Sequence, residues 1–522
     1  MIVSIFNDVV GPVMRGASSS HCAAALRIGR LARDLMSSRM DRVLVQFDTG
    51  GSLPATHQSQ GSDMGLFGGL LGWNADDDRL PNSAKWLKEA GIDLSFEYLD
   101  LADPHPNTYR LTLYDEQISH HIIAISTGGG MIEVLEIDGV KVSIGGDYDE
   151  TLVWLDANAN VDADAIATQL GADDAVFLEG ETQTLLQIRS QRPVSDAELA
   201  SLASVPDVRS VQRLSTVLPV RSRRDIAVPF QSCAEMLAHD GDQNTPLWKL
   251  AVEYERARSG LSESDVIEKM CELVQILRRS LEQGLQGTEY ADRVLGFQAG
   301  GFQAAMDEKR LIDGGVLNQI VLFTTALMEV KSSMGVIVAA PTAGACAAFP
   351  ATCLAIGEAL ELDDIEIAKG MLAGGMIGVF IATHWSFAAE VGGCQAEGGS
   401  AASMSAAALV TYMGGTLAQA TGAASMAMQN MLGLICDPVA NRVEVPCLGK
   451  NVLAASNALS CANMSLAGFD AVIPFDETIA AAKAVAERMP REHRCTALGG
   501  LATTPTSLAI QKRLAGCSHC AG

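Results

Sequence analysis

The chain has 522 residues, too many for one ordinary domain and enough for about three or four. Its 62 acidic against 37 basic residues give a formal net charge of −25. That balance argues against a nucleic-acid partner, whose phosphates would be repelled over most of the surface. With 48% hydrophobic but only 5% aromatic residues, its cores must be built from Ala, Val, Leu, Ile and Met.

The first residues, Met1 to Asp8, show neither a basic stretch nor an apolar run of signal-peptide length. Ile320 to Ala340 is interrupted by Glu329, Lys331, Ser332 and Ser333, and Met371 to Thr383 is too short to span a bilayer. Both read as buried helices, so the expectation is a cytoplasmic protein without a membrane partner. Twelve cysteines without a secretion signal read as free thiols or metal ligands rather than disulfides. Arg221, Arg223 and Arg224, the densest basic group, read as a solvated linker edge.

Residues 1–148 form the first expected domain, with a helix over Ser20 to Ser37. Its expected strands are Arg42 to Phe47, Thr108 to Tyr114, Ile122 to Ser126 and Val140 to Ile144. Residues 149–225 read as strand Thr151 to Leu155, helix Ala163 to Leu170, and strands Ala175 to Leu178 and Thr184 to Arg189. A helix over Asp196 to Ala203 and a strand over Val208 to Val217 complete a βαββαβ order, similar to the ACT domain that senses small molecules. Residues 226–522 are rich in Ala, Gly and Met and predict a mostly α-helical catalytic domain. Its helices are expected over Leu261 to Gln283, Gly315 to Met334, Ala402 to Tyr412 and Thr478 to Arg488. The fold class is therefore α+β and multidomain.

Three cysteines of this last part stand in unusual settings. Cys394 lies within Gly392-Gly393-Cys394-Gln395-Ala396-Glu397-Gly398-Gly399, Cys436 precedes Asp437-Pro438, and Cys447 follows Pro446. Glycine lets a backbone approach a bulky inorganic group, and proline fixes a loop that presents a ligand. Separations of 42 and 11 residues contain no CxxC pair, which argues against a zinc ribbon. Taken alone, the pattern also fits three buried thiols packing as small hydrophobes. Cys233, Cys271, Cys346, Cys353 and Cys461 lie in apolar or helical surroundings and are assigned to packing.

The sequence closely resembles the iron–sulfur-dependent L-serine ammonia-lyases over nearly its whole length. The resemblance rests on Gly16-Ala17-Ser18-Ser19-Ser20-His21-Cys22, His105-Pro106-Asn107-Thr108, Ser126-Thr127-Gly128-Gly129-Gly130 and Ser333-Met334-Gly335 through Gly344. The three cysteine motifs and Thr496-Ala497-Leu498-Gly499-Gly500-Leu501-Ala502 follow in the family's order. The resemblance implies a [4Fe–4S] cluster held by Cys394, Cys436 and Cys447, with one iron left open as a Lewis acid. It also implies dehydration and deamination of serine to pyruvate and ammonia.

Among residues matching these motifs, Ser20, His21 and Lys331 are the catalytic candidates. Ser18, Ser19, His105, Asn107, Arg110, Thr342 and Gly344 are the substrate-binding ones, expected to meet in a cleft between the first and last domains. The alternative reading of the serine run is a helix cap, against which His21 directly after it favours a site, and that of Lys331 is a solvated or paired lysine. Where family members often carry Gly-His-Gly-Thr-Asp, this chain has Ser59-Gln60-Gly61-Ser62-Asp63, so either His57 takes the role of the lost imidazole or the substrate preference has changed. Relatives place a cysteine near their terminus, but here the chain continues through Cys517 and Cys520, which read as a frayed tail. The same chemistry on threonine or cysteine, a non-catalytic amino-acid sensor and a zinc-stabilised structural protein stay open as alternatives. A small amino acid is the expected partner and a homodimer the expected assembly.

Overall fold

The computed structural model describes residues 2–16, 19–37, 40–58, 60–156, 159, 161–181, 183–290 and 293–517, without the side chains of residues 19 and 515–517. The chain divides into two compact units, Ser18–Ile226 and Met1–Ala17 with Ala227–Gly522. The boundaries between the units fall between Ala17 and Ser18 and between Ile226 and Ala227.

Twelve strands occur among the described residues. They are β1 Val13–Arg15, β2 Arg42–Asp48, β3 Asp93–Leu99, β4 Thr108–Tyr114, β5 Ser119–Gly128, β6 Met131–Ile137, β7 Val140–Ile144, β8 Asp149–Leu155, β9 Asp174–Glu179, β10 Thr184–Ser190, β11 Val208–Leu214 and β12 Val336–Val338.

In the Ser18–Ile226 unit, a six-stranded sheet runs β3-β2-β4-β5-β6-β7, parallel only at β2–β3. The alternation of Tyr109, Leu111 and Leu113 along β4 turns these residues into the core. There they meet Ile28, Leu31 and Leu35 of the Ser19–Leu35 helix. β3 and β6 had no counterpart among the expected strands; β3 is mostly exposed, so its period-two signal is weak.

The βαββαβ order is present as expected. Its sheet runs β11-β8-β10-β9, antiparallel throughout, with helices Ala163–Leu170 and Asp196–Ala203. Asp162 caps the first helix, and Ser195 with Glu198 forms a reciprocal capping box on the second. β8 is buried on both faces. Leu152 and Trp154 join the core of the larger sheet, while Val153 and Leu155 join that of the smaller. This shared strand fuses the two expected domains into one compact unit. Arg221 is ion-paired with Asp149 at 2.6 Å, which corrects its reading as a purely solvated edge.

The other unit is helical. Its β1, from the extreme N-terminus, pairs antiparallel with β12, and the turn Ile5–Val9 packs on the Asp364–His384 helix. Ser4 Oγ donates to Glu255 at 2.7 Å and the Ile5 amide to the same carboxylate at 2.8 Å, which satisfies an otherwise costly buried acid. These contacts explain why the first residues fold with the helical unit. The Cys394–Tyr412 helix runs through its centre, against helices Asp364–His384, Leu417–Gln429 and Cys447–Leu466. Of its buried hydroxyls, Ser405 Oγ donates to the Ala401 carbonyl at 2.7 Å and Ser403 Oγ to that of Ala424 at 2.9 Å, while that of Ser400 has no hydrogen-bond partner among the described residues. The apolar stretch around Met371 belongs to a 21-residue helix, longer than expected because Asp363 caps it eight residues before Met371. Among the described residues this helix alone is long and apolar enough to cross a membrane, and 78% of its apolar window is buried within the fold.

Candidate active site

Two of the three singled-out cysteines open long helices. Cys394 is the first residue of a 19-residue helix and Cys447 the first of a 20-residue helix. Both thiols therefore sit where unpaired amides and the helix dipole favour negative charge. Cys436 lies in an extended segment whose amide donates to the His493 carbonyl at 2.9 Å. All three are buried. The glycine-rich stretch around Cys394 is not the loop expected of it. Gly398 and Gly399 lie inside the helix, where they make room for Met431 and Met428.

The thiol of Cys436 faces those of Cys394 and Cys495, and these neighbours together with burial raise its pKa far above an ordinary thiol's. Burial, then Cys394, raises Cys447 in the same way. Thiolates are thus disfavoured here unless a cationic group compensates them. One counter-charge belongs to the protein. Lys450, one helical turn after Cys447, places its Nζ 3.7 Å from Cys394 Sγ and 2.6 Å from Asp437 Oδ1, and donates to the Ile435 carbonyl at 2.7 Å. Desolvation works against its charge, but Cys394 and Asp437 outweigh it and raise its pKa. The second oxygen of Asp437 accepts from the Leu501 amide at 3.0 Å. Gly500, at φ +60°, lies so close that a β-carbon there would sit 2.6 Å from the Asp437 side chain.

A second group surrounds Glu397, one turn along the Cys394 helix. Thr342 Oγ donates to Glu397 Oε1 at 2.8 Å and accepts from the Ala345 amide at 3.1 Å. A β-carbon at Gly344 would stand 2.5 Å from the carboxylate, which accounts for a glycine at that position. Burial pushes the Glu397 carboxyl up to about 7, against the opposing pull of Thr342, Lys331 and Lys450. Asn451 ties the pieces together. Its side chain donates to the Gly344 and Cys447 carbonyls, each at 2.9 Å, and accepts from the Ala348 amide at 3.0 Å. Lys331 is buried, not solvated, and donates to the Val443 carbonyl at 3.1 Å. Its charge acts on Cys447 and Glu397. Lys331, Thr342, Gly344 and the three cysteines therefore form one neighbourhood.

The remaining candidates belong to the Ser18–Ile226 unit. Ser18 and the Ser19 side chain lie outside the described residues; Ser20 and His21 fall in the first turn of the Ser19–Leu35 helix. The Asn107 amide donates to His105 Nδ1 at 3.2 Å, and the Asn107 side chain is bonded to Ser52. Arg110 is engaged by Asp103, at 2.5 Å from Nη2 and 3.2 Å from Nε. His57 has both ring nitrogens occupied, Nδ1 by Asp63 at 2.6 Å and Nε2 by the Tyr98 hydroxyl at 2.9 Å, and it packs on Phe96. Cys520 and the Cys517 side chain lie outside the described residues.

Sequence reading missed Lys450, Asp437, Glu397, Asn451 and Cys495. Asp437 and Glu397 stand inside the cysteine motifs, and Lys450 follows Cys447 at helical spacing, so the signal was present. What was not visible is that these side chains meet.

Among the described residues, no three His, Cys, Asp or Glu side chains converge as one metal ion requires. Three buried thiols are a donor set that would suit an iron–sulfur cluster. The buried, mutually destabilised thiols and the nearby Lys450 match an iron–sulfur cluster, whose core is cationic and whose thiolate-ligated form is anionic.

A family model described as serine dehydratase alpha chain matches residues 242–502. The chain is 34% identical over 287 residues to the probable L-serine dehydratase alpha chain of Bacillus subtilis, covering 55% of this chain and 96% of that one. It is 32% identical over 219 residues to the probable L-serine dehydratase beta chain of the same organism, covering 41% and 98%. Over 518 residues it is 27% identical to the L-serine dehydratase of Helicobacter pylori, covering 96% and 98%. Similar to an alpha chain, to a beta chain and to a relative that joins its parts in one polypeptide, this protein belongs to the serine dehydratase family.

Proposed function

We propose that the protein is an L-serine dehydratase, converting L-serine to pyruvate and ammonia, with Cys394, Cys436 and Cys447 holding a [4Fe–4S] cluster. The observation that carries this reading is the burial of three thiols, two at helix N-termini, beside Lys450 and the carboxyl of Glu397 in a member of this family.

Elimination of water from serine must overcome a weakly acidic α-proton and a poor leaving group. When bound, the cluster supplies Lewis acidity at its open iron, which makes the C3 hydroxyl a better leaving group. The protein supplies the proton acceptor. Glu397 is a buried carboxyl whose pKa of about 7 lets it change protonation near neutral pH, and Thr342 orients it. Lys331 holds positive charge at the same place and favours a substrate carboxylate there. Loss of the α-hydrogen and the hydroxyl as water gives 2-aminoacrylate. This tautomerises to the imine, which takes up one water to yield pyruvate and ammonium.

The test follows pyruvate from L-serine anaerobically on the iron-loaded full chain, with L-threonine and L-cysteine in parallel. Iron-dependent turnover favouring serine supports the reading. Preference for threonine or cysteine moves the substrate assignment to that amino acid, and a loaded protein inert toward all three overturns it.

A further inference from the structure

Lys450 touches all three elements that carry the proposed ligands. Its side chain rises from the helix that Cys447 opens. Its Nζ donates to the Ile435 carbonyl at 2.7 Å and to Asp437 Oδ1 at 2.6 Å, the residues on either side of Cys436. A further bond runs to Cys394 Sγ at 3.7 Å, at the start of the central helix. An ammonium has three N–H donors, so the walls of the site take them all. The Lys450 side chain is 15% exposed and that of Asp437 7%, which leaves little water to screen either charge. Asp437 gives its other oxygen to the Leu501 amide at 3.0 Å, so the charge bonded to a thiol here is the ammonium. Its field also reaches Cys447, where Lys331 acts in the same sense and Glu397 against it.

A positive charge and an N–H bond on a ligand sulfur both draw electron density from a cluster and raise its potential. We propose that Lys450, acting through Cys394, makes the cluster harder to oxidise and so slows oxidative loss of its open iron. The inference rests on the iron–sulfur reading above. In that loss an oxidant such as ferricyanide takes one electron from [4Fe–4S]²⁺ and becomes ferrocyanide. The [4Fe–4S]³⁺ formed releases Fe²⁺ and leaves [3Fe–4S]⁺. Lys450 gives up no proton and forms no bond in either step; its charge acts on the first.

The experiment uses the full chain, reconstituted anaerobically, as wild type, Lys450→Met, Lys450→Arg and Asp437→Asn. Each is held at one ferricyanide-to-ferrocyanide ratio while [3Fe–4S] is followed by electron paramagnetic resonance and released iron is counted. Lys450→Met should form [3Fe–4S] about tenfold faster than the wild type, the change that about 59 mV makes to a one-electron equilibrium. Lys450→Arg keeps the charge and the N–H donors and should stay near the wild type. Asp437→Asn leaves the ammonium unopposed and should be slower. A lysine that only braced the loops would give faster loss in both Lys450→Met and Asp437→Asn, and that result, or no change in either, overturns the proposal. Should Lys450→Met fail to fold or to load iron, Asp437→Asn still decides it: slower loss is expected, and equal or faster loss overturns it. A wild type that binds no iron overturns the iron–sulfur reading itself, a result distinct from a cluster whose oxidation ignores Lys450.

Discussion

The ammonium of Lys450 lies 2.6 Å from Asp437, with both side chains largely buried, and the same ammonium stands 3.7 Å from the thiol of Cys394. One cation thus serves a structural carboxylate and a ligand thiol at once. Lys450→Met leaves Asp437 buried without its partner, which is expected to cost about 3–5 kcal/mol. The double variant with Asp437→Asn should recover part of that loss in a urea double-mutant cycle. Strict additivity of the two would show that the pair is not coupled.

Glu397 gives the protein a pH signature. Its carboxyl is raised to about 7 in the fold, above its ordinary value of 4.5, mainly by burial. The stability it contributes is therefore fully present below pH 4.5 and is lost as pH rises through about 7. The change is on the order of 3 kcal/mol. Glu397→Gln should flatten this limb in denaturation curves taken across the window; an unchanged limb would place its origin elsewhere.

The same carboxyl must be ionised to accept a proton, so kcat/KM should rise with pH through a midpoint near 7. Glu397→Gln should lower kcat by about 10²-fold or more and abolish that limb. Gly344→Ala, whose β-carbon would press on the carboxylate at 2.5 Å, should lower kcat while the iron content stays unchanged.

His57 offers a contrast. With Asp63 and Tyr98 on its two nitrogens, His57→Asn should cost about 1–3 kcal/mol of stability. It should leave the midpoint of the pH–rate profile in place. A shifted midpoint would make His57, not Glu397, the titrating group.

Much of this was legible in the sequence because it is local. The βαββαβ order follows from alternating patterns and the Ser195 cap, and the three cysteines announce themselves through neighbouring Gly and Pro. What stayed hidden depends on distant partners. Gly398-Gly399 reads as a loop until Met428 and Met431 are seen filling the space those glycines leave on a buried helix. The pairing of β1 with β12 joins residues more than 300 positions apart, and no local pattern encodes it. Lys450 and Cys495 look like an ordinary helix lysine and a stray thiol until the chain returns them to Cys394 and Cys436.

The most direct measurement is the effect of Cys436→Ser on the anaerobically reconstituted full chain, read as visible absorbance and as pyruvate formed from L-serine. Both should be lost together, while Cys353→Ala, a buried thiol away from the ligand set, retains both. Full turnover of serine by the Cys436→Ser protein without its absorbance would contradict a cluster-dependent dehydratase.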